Sequence, residues 1–80
     1  MPQVEPDLPA IQRGRYRHNK TGNFYQVLGV AFHSEEEIPM VIYQPLYDSK
    51  FEYCVRPYDS FVQMVELDGK QRHRFEYVGE

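Results

Sequence analysis

Cysteine and long apolar runs are scarce in this sequence, and each scarcity excludes a class of protein. The chain has a single cysteine, Cys54, so it cannot form an internal disulfide, and a lone cysteine fits a reducing, cytoplasmic compartment. No apolar run approaches the roughly 20 residues that a membrane span needs. The N-terminus, Met1 to Pro9, has neither the basic start nor the apolar core of a signal peptide. We therefore expect a cytoplasmic protein that does not enter a membrane.

Aromatic residues, by contrast, are abundant. The chain has 7 Tyr and 5 Phe among 80 residues, and half of these rings lie between Tyr43 and Phe61. A domain of this size buries only roughly 60–65% of its unfolded surface. Without disulfides, its stability must come mainly from rings that each bury about 150–250 Å². So small a core cannot enclose every ring, so some rings are expected at the surface.

Six short segments have the alternation or the β-branched and aromatic content of strands. They are 14–18, 24–33, 39–47, 51–56, 62–67 and 70–78. Gly29, in the middle of the second segment, indicates a bulge or a sharp bend. Pro45 indicates an edge or a bulge in the third, and Asp68-Gly69 is typical of a tight hairpin. Residues 58–61 are expected to form a single 3₁₀ turn.

These elements predict an all-β fold. The expected architecture is a small antiparallel barrel, SH3-like or Tudor-like, with five to six short strands and one 3₁₀ turn. An open sheet backed by a helix fits less well, because no segment supplies the helix. We expect a single β-barrel domain over 13–80. Residues 1–12 are expected to form an extended, mobile N-terminal tail, because three prolines favour extended backbone there.

A combined pattern runs through most of the chain. Its pieces are Gly14–His18, Tyr25–Ala31, His33–Glu35, Val41–Tyr47, Val55–Pro57, Phe61, Val65, Asp68–Lys70 and Arg74–Phe75. This pattern, over about residues 13–78, resembles that of the DUF1653 family. The resemblance implies a compact bacterial domain with no agreed activity, and it supplies no catalytic residues. It also leads us to expect Trp in many relatives at the position of Cys54, where this chain would lack a large flat ring.

Basic residues are segregated although the net charge is only −3. Four lie in 13–20 and three in 70–74, and the first and last strands of a small barrel are usually neighbours. The arginines expected to converge are Arg15, Arg17, Arg72 and Arg74. Such a group can hold phosphates through charge-assisted hydrogen bonds, but its commoner use is as solvated charge that protects an edge strand. The acidic balance makes nucleic acid a less expected partner.

Exposed rings and Arg56 are the other binding candidates. Tyr47 and Tyr58 flank predicted turns and are expected at the surface, where tyrosines can line a peptide groove or an aromatic cage. The core is expected to hold Tyr43, Tyr53 and Phe61. Arg56 alternates onto the face opposite that of Tyr53. There it either pairs with Glu52, the commoner arrangement, or binds a carboxylate or phosphate of a ligand.

Metal binding and catalysis have weaker support. The soft ligands are His18, His33, His73 and Cys54, and none of them forms the short spaced pair that structural zinc needs. His33 beside Glu35–Glu37 is interpreted as part of a charged loop. A catalytic Cys54 would need a lowered thiol pKa and a histidine brought close by the fold. Cys54 is therefore interpreted as a small, partly buried hydrophobe.

The sequence as a whole favours a non-enzymatic binding module. No catalytic residue, metal or cofactor is expected, and the partner is a protein segment or an anionic ligand. The candidate binding residues are Arg15, Arg17, Tyr47, Arg56, Tyr58 and Arg74. The alternative is a small enzyme, or an enzyme-associated domain, that uses Cys54 with a histidine. The chain is expected to be a monomer or a weak homodimer that pairs through an exposed strand edge.

Overall fold

The fold is taken from a computed structural model that describes residues 7–80. Its elements, in chain order, are β1 (Gly14–His18), β2 (Phe24–His33), β3 (Ile38–Pro45), β4 (Cys54–Pro57), α1 (Tyr58–Phe61), β5 (Met64–Leu67), β6 (Lys70–His73) and β7 (Phe75–Gly79). Seven strands and one helical turn confirm the all-β class.

The strands form two antiparallel sheets. The larger has five strands in the order β4-β3-β2-β1-β7, and the smaller is the β5-β6 hairpin. The last strand lies beside the first, as predicted. Within residues 7–80 no ladder joins the edge strands β4 and β7, so the closure of a barrel remains a prediction.

The structure has a bulge and a tight hairpin turn at the glycines where the sequence predicts them. Val27 pairs with Tyr43 and Gly29 with Ile42, so Leu28 is an extra residue between two ladder pairs. Gly29 has a φ of 155°, which confirms the predicted bulge. In the hairpin between β5 and β6, Asp68 and Gly69 have φ values of 54° and 75°. Two consecutive positive φ values are what a two-residue hairpin turn of type I′ needs, and the predicted hairpin is confirmed.

Two predicted elements differ from the structure in type or continuity, and the fourth strand is Cys54–Pro57 rather than the predicted 51–56. The turn at 58–61 is α-helical rather than 3₁₀, because the N–H of Val62 donates to the carbonyl of Tyr58, four residues earlier, at 3.0 Å. The single strand predicted over 70–78 is broken at Arg74. Its N–H donates to the carbonyl of Gln63 at 2.9 Å, and its carbonyl accepts the N–H of Asn19 at 3.0 Å. These bonds turn the chain from the small sheet to the large one.

The core lies on one face of the large sheet, here called the inner face. Its buried side chains are Tyr16, Val27, Val41, Tyr43, Phe61 and Phe75. The prediction that Tyr53 belongs to the core is wrong, since its side chain is 55% exposed. The ladder places Cys54 opposite Tyr43 and Arg56 opposite Val41, and it is these two side chains of β4 that share the inner face.

The segment before β1 contacts the core without forming a strand or helix. Residues 7–13 have no regular secondary structure, yet Ile11 packs against the core. The hydroxyl of Tyr16 donates to the carbonyl of Gln12 at 2.7 Å. Residues 1–6, part of the predicted tail, lie outside the described residues, and the boundary after residue 12 stays a prediction.

Candidate functional site

Strand pairing brings a histidine and an arginine onto the inner face. His18 pairs with Phe75 across β1 and β7, and the centroids of their rings are 4.7 Å apart. Arg56 reaches the same phenyl ring from β4, with its guanidinium carbon 5.4 Å from the ring centroid. The ring of Phe75 therefore lies near His18, from the neighbouring strand β1, and near Arg56, from β4 at the far edge of the sheet.

The positive charges around His18 show which other side chains belong to this site. Burial lowers the pKa of His18, and the charges of Arg56, Arg74 and Lys20 lower it further. A pKa lowered in this way indicates a site of positive potential. We use the name inner-face cluster for His18, Tyr25, Tyr43, Tyr47, Arg56 and Phe75, together with Arg74, which is included because its charge acts on His18. Lys20 acts on His18 in the same way but is exposed, and it is left out.

Arg56 is fixed by neutral oxygens. Its Nε donates to the hydroxyl of Tyr43 at 3.5 Å, and its Nη1 donates to the hydroxyl of Ser60 at 3.2 Å. The predicted pairing with Glu52 is wrong, because these neutral partners and the ring of Phe75 hold the side chain over the inner face. Among residues 7–80 the guanidinium of Arg56 has no hydrogen-bonded carboxylate.

Arg74 is also half-buried, and its side chain has one unsatisfied donor among residues 7–80. Its Nη2 donates to Oε1 of Gln63 at 3.1 Å, while its Nε is buried and has no hydrogen-bond partner within residues 7–80. A buried donor without a partner costs about 1–3 kcal/mol, and more when the group is charged. Such an atom in a native fold indicates strain, a functional role or an unseen ligand.

Three tyrosines complete the cluster. Tyr25 packs edge-to-face on Tyr43 and on Tyr47, with ring centroids 5.2 and 5.5 Å apart. The hydroxyls of Tyr25 and Tyr47 are 3.1 Å apart, and burial together with this hydrogen bond raises the pKa of Tyr25. Tyr47 is 43% exposed, so it is the solvent-facing ring of the cluster, as the sequence predicted.

The structure separates the predicted binding residues into two faces. Tyr47, Arg56 and Arg74 belong to the inner-face cluster. Arg15 and Arg17 alternate with Tyr16 and His18 along β1, so they point to the opposite face. Arg17 and Arg72 line a separate polar cleft of about 280 Å³, which also contains Asp68. The segments 13–20 and 70–74 therefore converge, and Arg17 and Arg72 share this cleft, whereas Arg74 is assigned to the inner-face cluster.

Tyr58 is less exposed than predicted. It is half-buried and packs against the core, and its hydroxyl donates to the carbonyl of Ala10 at 3.5 Å. The segment before β1 covers it, a contact between residues 48 positions apart that no local pattern indicates. Its ring therefore helps to attach that segment to the domain.

Sequence reasoning missed the binding potential of His18 and Tyr25. The sequence indicates His18 only as a metal ligand or a catalytic base, and Tyr25 as one residue of an apolar strand. The alternation of Tyr16 with Arg17 already places His18 on the apolar side of β1. That signal is local and readable, whereas the approach of Arg56 and Arg74 to His18 depends on the full sheet.

Among residues 7–80, Cys54 has no hydrogen bond to a histidine. Cys54 is half-buried and packs against the core, as predicted. The ring of His18 is hydrogen-bonded to Thr21 at 3.0 Å, and that of His33 accepts the N–H of Glu36 at 3.0 Å. Among residues 7–80 no three His, Cys, Asp or Glu side chains are grouped to hold a metal ion.

Membrane insertion by a helix finds no support in the part of the chain that the structure describes. None of its helices has the length and apolar character needed to cross a bilayer.

Comparison with known proteins identifies the family. The family described as "Protein of unknown function (DUF1653)" matches residues 14–77. A crystal structure of a DUF1653 protein from Bordetella bronchiseptica is similar, with a TM-score of 0.79 and 31% sequence identity, over 86% of this chain and 88% of that one. No curated protein matches. The family pattern spans nearly all of the folded part, and the chain belongs to the DUF1653 family.

Proposed function

We propose that the protein is a non-enzymatic binding module that binds an anionic group, a carboxylate or a phosphate, at the inner-face cluster. The observation that carries this proposal is the pair of arginines near His18. Their hydrogen bonds within residues 7–80 go only to neutral oxygens, and the buried Nε of Arg74 has none.

Charge and burial support an anion rather than a neutral ligand. Two half-buried guanidiniums raise the local potential, and after burial, which is the largest cause, their charges lower the pKa of His18. Hydrogen bonds from guanidinium to carboxylate or phosphate are roughly twice as strong as neutral ones. Partial burial also weakens screening by salt. An anion would satisfy the unpaired donor of Arg74 and offset the repulsion between the two arginines.

The tyrosines support a ligand that carries the anion on a larger body. Tyr47 is exposed beside Tyr25, so it offers both a hydroxyl and an open ring face. A protein segment with an acidic side chain or a terminal carboxylate has this chemistry. What favours binding over catalysis is that the cluster contains no nucleophile hydrogen-bonded to a base.

The test is an NMR titration of the protein with inorganic phosphate and with a short acidic peptide at low salt. We expect shift changes at His18, Arg56 and Arg74, and a rise in the pKa of His18, because a bound anion favours the imidazolium. Arg74→Gln should weaken binding about tenfold, the loss of one charge-assisted hydrogen bond.

Arg15→Gln is the matched control, because it removes one arginine from the opposite face of the same sheet. It should leave the affinity of the wild type unchanged. The proposal would be overturned if both variants lost affinity equally, or if saturating phosphate and peptide left the resonances of His18 and Arg56 unmoved.

We also propose that the large sheet closes into an SH3-like barrel. Two features support this proposal. The last strand, β7, lies beside the first, and α1 follows β4 directly and places Phe61 against the inner face. In this barrel the β5-β6 hairpin, rather than a ladder between β4 and β7, covers the inner face, and the outer edge of β4 stays free. A crystal structure with the hairpin packed over the inner face would establish closure, whereas an open inner face in solution would exclude it.

A further inference from the structure

β4 leaves one side of its backbone unpaired. It lies at the edge of the large sheet and pairs only with β3 among the described strands. Pro57 lies opposite Met40 and has no N–H, so this is a pair without hydrogen bonds between the two residues. Because such pairs alternate with hydrogen-bonded pairs along the ladder, the backbone N–H and carbonyl groups of Arg56 and Cys54 are hydrogen-bonded to β3. The N–H and carbonyl of Val55 therefore point outward, to the open edge.

The most exposed large apolar side chains of the described chain lie at this edge. Val55 is 60% exposed, Phe51 59% and Tyr53 55%. Exposed apolar side chains beside an unpaired strand are the usual signature of a surface for strand addition. No proline or lysine lies between Phe51 and Arg56 to block pairing.

We infer that β4 pairs antiparallel with β4 of a second copy of this chain, with Val55 opposite Tyr53 of the other copy. The register is centred on Cys54, so that Cys54 faces Cys54. Glu52 then comes opposite Arg56, twice in the dimer, and this charge complementarity is what points to a second copy rather than to an unrelated segment. The chain bends at Glu52, so pairing has to straighten this bend and extend β4 backward by two residues, to Glu52.

The neighbouring registers are worse for identifiable reasons. Placing Val55 opposite Val55 sets Tyr53 opposite Pro57, which lacks the N–H needed for a full hydrogen-bonded pair. Placing Val55 opposite Pro57 sets Arg56 opposite Arg56, and like charges directly opposite are destabilising. Placing Tyr53 opposite Tyr53 sets Arg56 opposite Lys50, again two like charges. Of these four registers, the one centred on Cys54 keeps both outward hydrogen-bonded pairs complete and sets unlike charges opposite each other.

The single cysteine makes this register directly testable. Cys54 and its symmetry mate would form a non-hydrogen-bonded pair with Cα atoms about 4.5 Å apart, within the range of about 4.4–6.8 Å that a disulfide bridges. Oxidation of the folded full chain with diamide should therefore yield a covalent dimer. Light scattering between about 10 µM and about 1 mM should show a mass that rises above the 9.6 kDa of one chain, because so short an interface is weak.

Three variants decide the outcome. Val55→Lys keeps Cys54 but places a charge on the pairing edge, and should lower both the dimer fraction and the disulfide yield about tenfold. Glu52→Arg should also weaken the dimer, because it sets like charges opposite each other. Val62→Lys, at a similarly exposed apolar position away from β4, should leave dimerisation unchanged. Circular dichroism confirms that each variant is folded.

Two results would overturn the inference. One is a wild-type mass that stays at one chain at the highest concentration. The other is a disulfide yield that is the same in wild type, in Val55→Lys and in urea-unfolded protein, since that yield reports only random collision of thiols.

Discussion

Gly14 lies where β1 approaches β7 most closely. Its φ is 142°, a value that L side chains rarely adopt. A Cβ at this position would lie 2.8 Å from Cε1 of Tyr77 and 3.0 Å from the carbonyl oxygen of Gly79. The backbone angle and the lack of space therefore both require glycine here.

Gly14→Ala is expected to lower the free energy of unfolding by about 1–3 kcal/mol, the usual cost of backbone strain combined with overpacking. Urea denaturation measures it. Gly79→Ala is the matched control, because Gly79 also has a positive φ, 123°, but a Cβ there meets nothing within 4 Å. The control should lose less stability. Equal losses in the two variants would mean that the ring of Tyr77 moves aside freely.

At the scale of elements, α1 exists because of what Phe61 contacts. A single helical turn has too few internal hydrogen bonds to be stable alone. Phe61 stacks on Phe75 with centroids 4.1 Å apart and rings within 5° of parallel. It also packs against Tyr16 and Tyr43, at 5.5 Å from each. The turn is therefore held in place by the core.

Phe61→Leu is expected to destabilise the protein by about 1–3 kcal/mol, because it removes ring contacts and leaves a small void at a site that is 1% exposed. Val62→Ala, one residue later and 41% exposed, should change stability by less than about 0.5 kcal/mol. Denaturant unfolding of both variants is the measurement. A similar loss in both would contradict the role of Phe61 as the anchor of α1.

Elements that depend on local chemistry were predictable from the sequence, and those that depend on distant partners were not. Gly29 and Asp68-Gly69 carry their own backbone preferences, so the bulge and the hairpin followed directly. The break at Arg74 depends on hydrogen bonds to Asn19 and Gln63, which only the assembled sheets bring near. The alternation in β4 correctly predicts that Arg56 faces away from Tyr53. It does not show that the face of Arg56 is the inner one, because an arginine is usually expected on the solvent side.

For the whole molecule, the convergence of charge at His18 couples stability to pH. Burial, then Arg56, Arg74 and Lys20, lower its pKa from the usual 6.5. These groups come from β4, from the junction after β6 and from the turn after β1. The folded protein therefore resists protonation of this ring, whereas the unfolded chain accepts the proton at the usual pKa. Between the two pKa values the unfolded state binds more protons, so stability falls as pH falls.

We expect the free energy of unfolding to decrease as pH is lowered through 6.5, and to be fully retained above that value. His18→Gln should flatten this dependence over about pH 7.5 to 5.5. His73→Gln, at an exposed position of β6, is the control and should keep it. An unchanged pH profile in His18→Gln would contradict the coupling. Saturating phosphate should also reduce the slope, if the anion binds beside this ring.

The pairing of β1 with β7 also sets the order of events during synthesis. Gly14–His18 can complete its ladder only with Phe75–Gly79, so the central sheet depends on contacts between the two ends of the domain. Contacts so distant in sequence slow folding. On the ribosome, the β7 side of the inner face remains uncovered until residue 79 has left the exit tunnel. The ring contacts of Phe75 are therefore expected to form last.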